Sequence, residues 1–174
     1  MVREGLKPTH QSFEGGYWSL PTDIGLVDTA ENVFIKRLKR SGWDTNSDEI
    51  KNVQVAFREA LINAMAHGNL NIKKSEDDRS SWFTLAEREL ALHSTDKIVK
   101  VVVKVSKERI YIQVRDQGEG FNPEDVPDPL QIENILKGSG RGIFLMQSYF
   151  DSVKYTKGGR EVTMIKTRKQ ENVV

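Results

Sequence analysis

The stretch FREALINAMAHGN, residues 57–69, decides how this chain is read. Its Ala, Leu, Ile, Met and Phe residues suit a buried helix, yet Glu59, Asn63 and His67 recur at steps of four. With about 100° per residue and Glu59 set at zero, Asn63 lies near 40° and His67 near 80°. Phe57 and Leu61 lie nearly opposite, which suits the core, while Lys51, Gln54 and Arg58 form a separate wet face. The polar line is therefore walled by small and apolar groups: Ala56 and Ala60 beside it, Val55, Ile62 and Ala66 on its other flank. Two readings follow. Either Glu59 and Asn63 are ordinary exposed residues, with His67 satisfied near the helix end, or the line faces a pocket. The helix already has a solvent side, which favours the pocket. A carboxylate and an amide buried there without partners would cost roughly 1–3 kcal/mol or more each, so a polar occupant is expected. An anionic ligand with a metal fits, because Asn oxygen and Glu suit Mg²⁺ and water.

Outward from that helix the pattern is mixed. SFEGGYWSLP predicts a strand closed by Pro21, and Thr22 or Asp23 is placed to cap a helix running through Arg40, ended by Ser41-Gly42. Asn46 with Glu49 three residues on reads as a capping box, opening a helix from about 47 to Ala66 with Gly68 as its stop. SSWFTLAERELALH forms one short helix, either packed down through Trp82 and Leu85 or presenting a partner-binding surface. IVKVVVKVS and RIYIQVRD alternate at period two around KER and make a hairpin; DSVKYTK and EVTMIKTRK make another around Gly158-Gly159. Between the hairpins lie a long Gly- and Pro-rich loop and a helix at about 141–149. The order β-α-α-(α)-β-β-loop-α-β-β predicts an α+β fold, a two-layer sandwich whose mostly antiparallel sheet carries helices on one face.

Two glycine-bearing segments can close the pocket. In VRDQGEGFNP a strand ends at Asp116, and Gly118 and Gly120 follow. Asp accepts only, so it can read an exocyclic amine, while glycines let the backbone turn and approach a flat ligand. In KGSGRGIFLM, Gly138, Gly140 and Gly142 lead into an apolar helix whose N–H groups favour phosphate, with Lys137 and Arg141 adding charge. Neither loop is a GxGxxG or a GxxxxGK[ST] motif. Either loop alone reads equally as a turn with a helix cap; the three elements in this order are the sharper signal.

The totals fit an ordinary soluble protein. The 174 residues suffice for a sizeable core. A balance of 26 basic and 25 acidic side chains argues against bulk attraction to nucleic acid. No apolar run suggests a membrane span or a signal peptide, and with no cysteine a cytosolic protein is the default. Histidines at 10, 67 and 93 are too scattered for a zinc site.

The chain resembles the Bergerat-fold ATPases shared by gyrase, Hsp90, MutL and histidine kinases. The resemblance is carried by ExxxN at Glu59–Asn63, DxGxG at Asp116–Gly120 and the glycine run ending at Gly142. More closely, EALINAMAHGN, VRDQGEGFNPEDVPDP and GRGIFLMQSYFDSVKY with EVTMIK make it similar to the bacterial serine-kinase anti-sigma factors of partner-switching systems. The resemblance spans about residues 17–168 and implies ATP and Mg²⁺ as cofactors. Glu59 would be the general base, Asn63 the Mg²⁺ ligand, and Asp116 the reader of the adenine amino group, with Thr163 helping through water. Gly118 and Gly120 would shape the adenine pocket, and Gly138, Gly140, Arg141 and Gly142 would hold phosphates. His67 receives a structural role at the helix end. The implied layout is a flexible start over 1–12, one ATPase domain over 13–170 with an insertion at 72–97, and an ATP lid at 121–139. The implied partners are a STAS-type anti-sigma factor antagonist as phosphoacceptor and a sigma factor, with a homodimer but no direct nucleic acid or membrane contact. Three other readings stay open at this point: an ATP-dependent regulatory binding module without significant kinase activity, a detached histidine-kinase catalytic domain, and a structural α+β domain.

Overall fold

The computed structural model describes residues 15–73, 80–125 and 141–169. The expected flexible start over 1–12, most of the expected lid, and Gly138 and Gly140 lie outside the described residues. Alternation in the strand sequences puts one apolar row on each strand. β1 (Tyr17–Pro21) buries Trp18 and Leu20; β2 (Ile98–Val105) buries Val99, Val101 and Val103; β3 (Arg109–Arg115) buries Ile110, Ile112 and Val114. Beyond them come β4 (Ser152–Thr156) and β5 (Glu161–Thr167), and Val162 and Met164 of β5 are buried too. The strands form one antiparallel sheet in the order β1-β2-β3-β5-β4. Register aligns Trp18 with Val101, Val101 with Val114, and Val114 with Val162, so a single buried row crosses four strands. That row specifies the register, because a one-residue slip would turn it to the other face.

Two long helices cover this row. α1 (Leu26–Arg40) buries Val27, Ala30, Phe34 and Leu38, and α2 (Asp48–Ile62) buries Ile50, Val53, Phe57 and Leu61. Both stripes follow the i, i+3, i+4 rule of a helix with one face on a core. Phe57 meets Trp18 edge-on at 6.1 Å and Phe34 at 4.7 Å between ring centroids, so strand and both helices share one aromatic contact. Arg58 spans the outside of the helix pair, reaching Asp28 at 2.5 Å and Glu31 at 2.7 Å. α3 (Trp82–Leu92) and α4 (Arg141–Tyr149) complete the α-helices among the described residues, with one 3-10 turn at Pro123–Asp125. The α+β sandwich expected from element order is the one observed.

The helix ends differ from expectation in three places, each for a local reason. α1 begins at Leu26, not at Thr22 or Asp23. Thr22 turns its hydroxyl to the Lys97 carbonyl (2.6 Å), and Asp23 instead accepts from the Gly25 N–H (2.9 Å). α2 is capped by Ser47, which accepts from Ile50 N–H, while the Asn46 N–H donates to Asp44. Gly68 does not stop that helix. From Asn63 to Asn69 the chain keeps winding in wider, i→i+5 turns, and Leu70 N–H donates to Met65 at 3.0 Å.

Phe57 is fully buried at the centre of the three-element contact. Phe57→Ala is expected to cost about 3–5 kcal/mol, read as a fall in the denaturant midpoint.

Candidate functional site

The aromatic anchor sets the rotation of α2, and that rotation places Glu59 and Asn63. Both are half-buried, on a flank that faces neither the sheet nor open solvent. The neighbour on that flank is the first turn of α4. Gly142 lies so close that a β-carbon there would sit 2.9 Å from Glu59 Oε2 and 3.1 Å from Asn63 Nδ2. The ExxxN pair and the end of the glycine run, about eighty residues apart in sequence, are thus in direct contact. Burial pushes the Glu59 carboxyl above its ordinary value, and the charges of Arg141 and Arg58 oppose that rise. A carboxyl raised in this way holds a proton more tightly than a free glutamate does.

His67, the third member of the polar line, is elsewhere. It is exposed, and its ring meets Trp82 of α3 at 4.1 Å, edge to face. That agrees with a structural role at the helix end. α3 itself packs Trp82 and Phe83 against the core and offers the Phe83 ring to Arg58 at 5.0 Å.

Asp116, the first residue past the end of β3, lies against the same helical segment farther along it. Its carboxylate lies on the bare face of Gly68, where a β-carbon would come within 2.5 Å of Asp116 Cγ. Gly68 follows Asn63 by five residues, about 7 Å along a helix axis. Burial pushes the Asp116 carboxyl up, against the hydrogen bond from Gly118 and the charges of Arg160 and Lys97. The two glycines after it meet tight backbone. Any side chain at Gly118 would strike the Gly68 carbonyl, and at Gly120, with φ +83°, the Gly158 carbonyl. Phe121 N–H donates to that same Gly158 carbonyl at 3.0 Å, so the loop is closed onto the β4–β5 turn.

Thr163 is not gathered with the others. It alternates with buried Val162 and Met164 on β5 and pairs with Gln113, whose amide nitrogen reaches its hydroxyl at 3.4 Å. Both side chains point to the face of the sheet away from the helices, whereas Asp116 belongs to the helix side. The expectation that Thr163 assists Asp116 is therefore set aside: the period-two pleat puts the two on opposite faces. Asn69 was missed at the sequence level. It is buried and bonded on several sides, and the only signal was its place directly after the ExxxN helix. An open hollow of about 440 Å³ lined by Lys104, Ser106, Arg109 and Tyr111 lies at the β2–β3 turn, the far end of β3 from Asp116, and takes no part in this site.

Helices on one face of an antiparallel sheet, with a carboxylate–amide pair under one glycine-led helix and a second carboxylate under a glycine loop, define a nucleotide-binding ATPase architecture. The family model for the histidine kinase-like ATPase domain matches residues 20–166, and the chain belongs to that family. Among characterised proteins it is similar to the serine-protein kinase RsbW of Staphylococcus epidermidis, 30% identical over 162 residues that cover 87% of this chain and 89% of the relative. It is 27% identical to RsbW of Staphylococcus aureus, with the same coverage. The anti-sigma F factor of Clostridium botulinum is 25% identical over 160 residues, covering 87% of this chain and 95% of the relative. No helix among the described residues is long and apolar enough to cross a membrane.

The raised Glu59 carboxyl makes a prediction about stability. The folded state holds the Glu59 proton more tightly than the unfolded chain does, so stability falls as pH rises from the ordinary value of 4.5 to the raised one. Without nucleotide, Glu59→Gln is expected to melt above the wild type at neutral pH. The difference should vanish below the ordinary glutamate value, as followed by calorimetry across that range.

Proposed function

We propose that this chain is an ATP-binding protein serine/threonine kinase and anti-sigma factor, which phosphorylates an anti-sigma factor antagonist of the STAS type and sequesters a sigma factor. The observation that carries this reading is the half-buried Glu59 carboxylate, with its raised proton affinity, set beside Asn63 against the first turn of α4. Membership of the ATPase family supports ATP as the phosphoryl donor. The relatives named serine-protein kinase and anti-sigma F factor support the protein acceptor and the sigma factor. A homodimer and a cytosolic location complete the proposal.

The roles divide along the chain. Asp116 accepts from the amino group of adenine, and Gly118 and Gly120 admit the flat base against the backbone. The N-terminal turn of α4, with Arg141 at its start, offers N–H groups and positive charge to phosphates. Gly138 and Gly140 belong to the same proposed phosphate-holding run. Asn63 would hold Mg²⁺ through its side-chain oxygen. The donors suit that ion: an amide oxygen beside a carboxylate gives a partial oxygen shell. When bound, Mg²⁺ supplies charge neutralisation on the phosphate oxygens. Glu59 orients the serine or threonine hydroxyl of the acceptor and takes its proton. The hydroxyl oxygen bonds to the γ-phosphorus as the bond to the β–γ bridging oxygen breaks, and ADP leaves with that electron pair. Positioning and electrostatics do most of the work, since the protein forms no covalent bond itself.

Glu59→Gln is expected to lower phosphotransfer by about a hundredfold or more while nucleotide affinity holds. The check is single-turnover transfer from labelled ATP to the antagonist, with acid-stable phosphoserine or phosphothreonine as product. Normal transfer by the variant would remove Glu59 as base, and failure of the wild type to transfer at all would remove the kinase. Gly142→Ala, whose methyl would press on Glu59 and Asn63, is expected to slow transfer about tenfold or more through misplacement of those groups.

A further inference from the structure

Three consecutive backbone amides hold the Asp116 loop. The Asp116 N–H donates to the Arg160 carbonyl (3.0 Å), and the Gly118 N–H donates back to Asp116 Oδ1 (2.8 Å). The middle one, Gln117 N–H, donates to Asn69 Oδ1 at 2.7 Å, the sole member of the three anchored by a side chain from another element. Asn69 is only 3% exposed. Its Nδ2 donates to Thr22 Oγ1 at 2.8 Å, Thr22 Oγ1 donates to the Lys97 carbonyl at 2.6 Å, and Lys97 Nζ returns to the Asn69 carbonyl at 3.0 Å. The Gln117 side chain closes the set by accepting from Ile98 N–H at 2.7 Å. One buried amide therefore joins the end of β1, the wide turns after α2, the start of β2 and the Asp116 loop. Its chain neighbour Gly68 carries the Asp116 carboxylate on its bare face. Gly68 leaves room for that carboxylate, and Asn69 sets where the loop bearing it stands.

We propose that Asn69 is a positioning residue for base recognition: through Gln117 it fixes the Asp116 carboxylate to read the exocyclic amine of a purine. Asp116 Oδ1 is held by Gly118, so Oδ2 is the oxygen presented to the base. A carboxylate discriminates an amine from a carbonyl only while its position is set, because a free loop would re-aim it. The inference rests on the proposed adenine-reading role of Asp116, and the two fail separately in the following experiment.

Calorimetric titration of the full chain with ATP and with inosine triphosphate, which carries a carbonyl in place of the amine, reads the ratio of the two affinities. The wild type should favour ATP. Asn69→Ala should weaken ATP about tenfold with inosine triphosphate little changed, so the ratio collapses. Asn69→Asp, which keeps an acceptor for Gln117 N–H, should restore most of it. A merely structural residue would lower the melting temperature and move both nucleotides alike. An unchanged ratio in folded Asn69→Ala, or equal loss for both nucleotides, overturns the proposal. Should that variant not fold, Thr22→Val removes the acceptor of Asn69 Nδ2 and leaves Asn69 in place; a smaller fall in the same ratio is expected, and no fall overturns the proposal. Asp116→Asn is the control. If it too leaves the ratio intact, the reading of Asp116 has failed; if it collapses the ratio while Asn69→Ala does not, Asn69 alone is excluded.

Discussion

The burial of Phe57 and Leu61 between sheet and α1 is the constraint on which the site depends. Together they hold about 3–6 kcal/mol of burial free energy, which rotation of α2 would forfeit. The helix therefore cannot turn to hydrate Glu59. It must carry that carboxylate into the contact with Gly142, where burial raises its proton affinity. Arg58 adds a lock from outside through Asp28 and Glu31, an ion-pair network partly shielded from solvent. Core packing thus sets the chemistry: the apolar stripe fixes the angle, and the polar line goes where that angle sends it.

The second determinant is the change of winding at Asn63. Wider turns are unusual in helices and often mark functional segments. Here they begin at the proposed metal-binding amide and end at Asn69, which grips the Asp116 loop. The segment carries a glycine where the carboxylate needs room and a buried amide where the loop needs an anchor. His67, exposed on the outside, meets the ring of Trp82 from α3. The helix that reads as an insertion in sequence therefore buttresses the wide turns from behind.

Much of this was legible in sequence because the signals are local and periodic. Strand alternation, the paired hairpins and the apolar stripe of α2 needed no tertiary information. The helix starts were less legible. Thr22 and Asn46 are good caps by type, but Thr22 has a competing acceptor in Lys97, distant in sequence, and Ser47 sits one residue nearer the helix than Asn46. Thr163 was misplaced for a related reason: a motif match says which residue is near which strand, not which face its side chain takes. Asn69 escaped notice because a single Asn after His-Gly carries no pattern, and its partners lie 47 and 48 residues away.

By itself the sequence determined the element order, the antiparallel α+β architecture and the residue types that give the site its chemistry, since these follow from spacing within short windows. The tertiary structure alone decided the contacts among distant segments: Gly142 on Glu59 and Asn63, Asp116 on Gly68, Gln117 on Asn69, and Thr163 on the far side of the sheet. Helix rotation, strand register and loop closure are settled by packing across the whole chain, and no local window contains that information.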